Sequence, residues 1–200
     1  MGALAGLERA GAAFGVHSNW GESGPGWEPL GHYKQCGFEE LVTCNDQPPA
    51  GPDATRQPRA CYQVYAAYGN TSGVMAPVSR HCDDCDAFAS YDDGPDGHGG
   101  VVGTAWVTVG RYGPPTTTPN RTVHVRLSSL PPLLVSAGQT AVTLATIPNM
   151  LQRAVPHPTP LGTREHTVTR GADTLGFDLD LHLPIINHDV WTVRVLKPSG

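Results

Sequence analysis

The chain has 200 residues, a net charge of −5 and 13 basic residues, only two of them lysine (Lys34 and Lys197). Phosphate backbones and anionic lipid surfaces are gripped by clustered Lys and Arg; no such cluster occurs, so neither nucleic acid nor membrane is expected as a partner, and no run of 18 apolar residues is present to span a bilayer. Apolar residues make up 39%, charged residues 16%, and there are 24 glycines and 19 prolines, a balance that implies many turns and few long helices.

The chain opens with MGALAGLERAGAAF. Glu8 and Arg9 interrupt the apolar run that a secretory signal needs, and Gly6 stands where a myristoylation motif wants Ser or Thr. A virion or cytoplasmic location is therefore expected, or an extracellular one if a leader has been removed. Leu4, Leu7, Ala10 and Phe14 share one face at helical spacing and predict a short helix over 3–14, weakened by Gly6 and Gly11. An irregular segment with Trp20, Trp27 and Tyr33 follows, then the Pro-rich loop NDQPPAGPDATRQPR. Residues 1–59 read as an N-terminal arm and 60–200 as a β-rich domain.

From Ala60 the pattern turns to strands. ACYQVYAAY and GVMAPVSR flank the turn signal GNTSG and predict a hairpin. RHCDDCDAFASYDDGPDGHGG reads as an acidic stretch between strands. VVGTAWVTVGR is β-rich, RTVHVRLSS alternates cleanly and QTAVTLATI continues the pattern. LQRAVPHPTPLG reads as a loop before REHTVTR. LGFDLDLHL sets Phe177, Leu179, Leu181 and Leu183 against Asp178, Asp180 and His182, and DVWTVRVL closes the chain. About eight short strands with half-buried alternation define an all-β fold. The expected architecture is an antiparallel β-sandwich or jelly-roll-like domain with long Pro/Gly-rich loops and a short N-terminal helix.

Five cysteines occur, at 36, 44, 61, 82 and 85. Zinc takes four soft or imidazole ligands, and a two-residue gap lets two thiolates face one ion. Cys82 and Cys85, joined by Cys36 and Cys44, are thus candidate ligands, with zinc the expected cofactor. Three alternatives stay open: a disulfide to an upstream cysteine, buried free thiols, and redox work, which would want a βαβ context. Asp92, Asp93 and Asp96 offer hard oxygens but lack the spacing of a calcium loop. Asp178, Asp180 and His182 share one strand face, with His188 and Asp189 beyond it; His124 and His166 occupy similar positions. Such faces read first as solvated strand exteriors and only second as metal or acid/base sites. The sequons at Asn70 and Asn120 carry little weight without a leader.

No nucleophile elbow, P-loop, dinucleotide fingerprint or H-E-x-x-H motif is present. The expected function is a non-enzymatic structural or assembly protein, most concretely a virion component (capsid, cement or tail). Its partners would be protein subunits in a homo- or hetero-oligomer, met through Leu4, Leu7, Phe14, Trp20 and Trp27. The rival readings are a secreted carbohydrate- or ligand-binding sandwich, with Trp20, Trp27 or Trp106 as a stacking platform, and a metal-dependent enzyme using the His/Asp face.

Overall fold

The computed structural model describes residues 58, 60–71, 73–79, 81–82, 84–94, 103–111, 121–148, 155–171, 176–185 and 189–198. The helix expected over 3–14 lies outside them. In chain order the described elements are α1 (Ala60–Gly69), β1 (Val74–Ala76), β2 (Cys85–Asp92), β3 (Thr104–Arg111), β4 (Arg121–Leu130), a 3-10 turn (Pro132–Leu134), β5 (Gln139–Ile147), β6 (Thr159–Thr167), β7 (Thr169–Arg170), β8 (Phe177–Ile185) and β9 (Val190–Leu196). The strands form two antiparallel sheets, a large one in the order β1-β2-β3-β9-β5-β6 and a small one in the order β4-β8-β7.

The sheets face each other across one apolar core. Alternate residues of β3 (Ala105, Val107, Val109), β9 (Trp191, Val193, Val195) and β5 (Val142) meet Leu179, Leu181, Leu183 and Ile185 of β8. Each fully buried Val or Leu contributes about 1.5–3 kcal/mol, and this alternation is what selects the register. Trp191 adds a polar tie between the sheets: its Nε1–H donates to the Pro184 carbonyl at 3.0 Å. The all-β sandwich expected from the alternation is the architecture found.

The chain crosses between the sheets four times, and two of these crossings lie wholly within the described residues. Between β4 and β5, Leu130 and Leu134 are buried, and Ser136 and Gln139 exchange backbone hydrogen bonds at 2.9 and 2.8 Å around Ala137 and Gly138. Both central residues have positive φ, the conformation of the primed turns that match strand twist. Between β6 and β7 the crossing takes a single residue, Val168, whose N–H donates to the Gly138 carbonyl at 3.0 Å.

Three local readings are corrected. The segment ACYQVYAAY is the helix α1, not a strand. Ala60, Val64 and Ala67 recur at helical spacing and pack with Ile147, Val155 and Val190 on the outer face of the large sheet, while Tyr68 meets Phe88 edge-on at 5.0 Å. Gln63 fastens the helix, its Nε2 donating to the Val155 and Pro156 carbonyls at 2.9 and 2.8 Å. Second, CDAFASYD is strand β2. Its acidic residues mask an alternation in which Ala87, Ala89 and Tyr91 pack on the sandwich core, while Asp86, Phe88 and Ser90 are buried on the opposite face. Third, TPLG belongs to β6, continuous with REHT.

Candidate functional site

Two places in the described structure depart from a plain sandwich: a charged corner where β2, β3 and β4 meet, and the edge strand β6.

The corner begins at the cysteines. Cys82 and Cys85 are joined to each other in a disulfide, with Cα atoms 5.6 Å apart. The partner is thus three residues away and not an upstream cysteine. In this state neither sulfur is a thiolate free for zinc, and Cys36 and Cys44 lie outside the described residues. Inside the four-residue loop, Asp84 forms a close ion pair with Arg111 of β3, through Nη2 and also Nε at 3.1 Å. Its second oxygen lies 3.3 Å from Nη1 of Arg121 at the start of β4. Arg111 is 1% exposed at its side chain and Arg121 is 47% exposed, so one carboxylate ties a buried cation of the large sheet to a solvated cation of the small one. The hydrogen bond from Arg111 holds the Asp84 carboxyl below its ordinary range; burial opposes this without reversing it.

Arg111 was legible in principle. It continues the inward series Ala105, Val107, Val109, and a cation on that parity must be buried or capped. The register sets it opposite Cys85, which brings the acidic stretch to it.

The outer face of the small sheet gathers the predicted His/Asp residues. His124 and His182 are direct cross-strand partners, their rings stacked at 4.8 Å, and His124 Nε2 lies 2.8 Å from Asp180 Oδ1. Among the described residues no group of three or more His, Cys, Asp or Glu is arranged to hold a metal ion. Asp178 departs from the solvated reading: it is 8% exposed. Its carboxylate accepts from Arg126 Nη2 at 2.6 Å and from the Ser129 N–H at 3.2 Å. These two bonds, Arg126 first, hold its pKa below the ordinary value. Ser129 sits in the irregular end of β4 with positive φ. Gly176 passes so close that a Cβ there would stand 2.6 Å from Ser129 Cα, so the strand end and the glycine are matched pieces. Asp178 thus braces a bulge. His166, on β6, is half-buried; His188 lies outside the described residues.

On the outer face of the large sheet, the guanidinium of Arg194 stacks 4.8 Å over the ring of Trp106. Trp106 Nε1 and Ser90 Oγ, on directly opposed residues, are both buried with no hydrogen-bond partner among the described residues.

The edge strand β6 is of another kind. It runs nine residues and pairs with β5 alone among the described strands. The register sets Gly162, Arg164 and His166 opposite Leu144, Val142 and Thr140, on the side of β5 that faces the core. Yet no residue of β6 is buried, so the strand extends past the cover of the small sheet. A bulge at Leu144/Ala145, with Gly162 at φ +91°, leaves Leu161 45% exposed. The predicted partner-binding residues Leu4, Leu7, Phe14, Trp20 and Trp27 all lie outside the described residues.

No family model and no curated protein matches the chain. Among solved structures it is similar to a GH39 enzyme from Xanthomonas axonopodis pv. citri, with 15% sequence identity and a TM-score of 0.41. The match covers 69% of this chain and 30% of that one, so the chain spans under a third of its length. A likeness of that degree says nothing of this chain's activity. Among the described residues no helix is long and apolar enough to cross a membrane.

Proposed function

We propose that the protein is a non-enzymatic structural module that assembles with protein subunits along the edge of β6 left unpaired among the described strands; a virion component (capsid, cement or tail) is the concrete setting that its Pro/Gly-rich composition suggests. The observation that supports this is the unburied nine-residue strand. An open edge presents a row of N–H and C=O groups ready to pair with an incoming strand. Leu161 adds an exposed apolar side chain to that edge, while Arg164 and Glu165 make indiscriminate pairing less favourable and so favour a matched partner. The test is sedimentation velocity over a concentration series, with a second copy of this chain as the first partner tried. Wild-type protein should sediment as a dimer or larger, and Leu161→Asp should shift it to monomer with an unchanged circular dichroism spectrum. A variant that sediments as wild type would remove β6 from the interface.

A ligand-binding sandwich is the second reading, favoured by one observation: Ser90 Oγ and Trp106 Nε1 are buried and find no hydrogen-bond partner among the described residues, and a ligand or water would satisfy them. Arg194 already occupies one ring face, which argues against Trp106 as an open sugar platform. Zinc belongs to the reduced chain, because the disulfide and the metal compete for the same two sulfurs. Elemental analysis of protein purified under reducing conditions decides that point.

A further inference from the structure

We propose that the Cys82–Cys85 disulfide is a thiol-responsive clasp whose reduction releases the corner joining the two sheets. The disulfide closes a loop of only four residues, and that loop carries Asp84, the carboxylate paired with Arg111 of β3 and Arg121 of β4. The covalent bond therefore sets where the shared carboxylate stands, and the carboxylate sets the junction. Its substrate class is a small dithiol or its disulfide. Cys82 is the more accessible of the pair, half-buried where Cys85 is buried, so the incoming thiolate attacks Cys82 Sγ. The S–S bond breaks and Cys85 leaves as a thiolate, which takes up a proton. The second thiol of the reductant then attacks the mixed disulfide, leaving as a cyclic disulfide and returning Cys82 as a thiol; two electrons pass to the protein. With the loop open, Asp84 is no longer pinned between its two cations. It held β3 and β4, and β2 follows the loop directly; β2 and β4 carry half-buried apolar residues (Ala87, Ala89, Val123 and Val125) that pack on the shared core, and the ends of these three strands become the first part of the sandwich to open.

Amide hydrogen exchange of the full chain, oxidised and then reduced with dithiothreitol, tests this directly. Reduction should speed exchange about tenfold at residues 85–87, 109–111 and 121–123 while leaving β5 and β9 protected, as expected for local opening. It should also lower the melting temperature by roughly 4–8 °C, the scale expected for opening a very short loop in a chain of this size. Cys82→Ser should reproduce the reduced pattern and abolish the response to dithiothreitol, which separates this bond from effects at Cys36, Cys44 and Cys61. Asp84→Asn, with the disulfide intact, should loosen 109–111 and 121–123, and reduction should then add nothing there. Unchanged exchange at β3 and β4 on reduction of the wild type would overturn the proposal, and needs no variant to fold. So would a full response to dithiothreitol in Cys82→Ser.

Discussion

Strands β9 and β6 flank the same neighbour, β5, one on each side, yet they have opposite fates. β9 is central: Val190, Trp191, Val193 and Val195 are buried, with Val195 wholly so. β6 is longer by two residues and buries none of its side chains. Hydrogen bonding to β5 is therefore not what distinguishes them. The difference lies in what sits above each strand, because the small sheet has three strands against six and cannot cover the whole inner face. Burial, and with it most of the stabilising free energy, is concentrated on the covered strands, and β6 has no share in it.

The sharpest way to break this contrast is Trp191→Ala, which removes a buried ring and its hydrogen bond to the Pro184 carbonyl. A loss of about 3–5 kcal/mol is expected in urea denaturation, from the cavity and the lost transfer energy together. A loss under about 1 kcal/mol would mean that β9 is not the strand on which the core depends. An intermediate effect is expected from acid. Asp84 and Asp178 both have depressed pKa values in the folded chain, so the unfolded chain binds their protons first as pH falls. Their contribution is complete well above the ordinary carboxylate pKa of about 4, and is lost progressively as pH drops through the folded values. The urea midpoint should thus fall steeply below about pH 4, and the double variant Asp84→Asn, Asp178→Asn should flatten that acid limb. An unaltered limb would assign the acid sensitivity to other carboxylates. The smallest stability effect is expected at Leu161→Ala on β6, within about 0.5 kcal/mol. Measured at concentrations where the chain is monomeric, a larger loss would show that the edge is covered within the chain itself and would weaken the contrast.

Legibility followed the same division. The strands at Arg121–Leu130, Gln139–Ile147, Phe177–Ile185 and Val190–Leu196 announce themselves because one face is apolar and the other polar, or because the run is rich in β-branched residues. The segment of α1 reads as a strand because aromatic and β-branched residues raise strand propensity, although Ala60, Val64 and Ala67 carry the helical period that prevails. β2 was hidden because both of its faces carry buried residues, Asp86 and Ser90 among them, so polarity did not report exposure. At the charged corner, the acidic loop was visible as a cluster, but its counter-charges lie 27 and 37 residues away in the chain (Arg111 and Arg121 from Asp84), and only strand register brings them together.

By itself, the sequence determined the fold class, since alternation at period two is a local property that any antiparallel sheet must satisfy on its buried face. It also determined that cysteines, carboxylates and histidines would be available, and on which strands most of them stand. Only the tertiary structure decided which of them meet: Cys82 with Cys85, Asp84 with two arginines from different sheets, Asp178 with a bulged strand end and Arg126, and β6 with no strand over it among the described residues. Pairing between sheets depends on how many strands each contributes and on where the chain crosses from one to the other. Those are properties of the whole packed chain, which no local pattern of residues records.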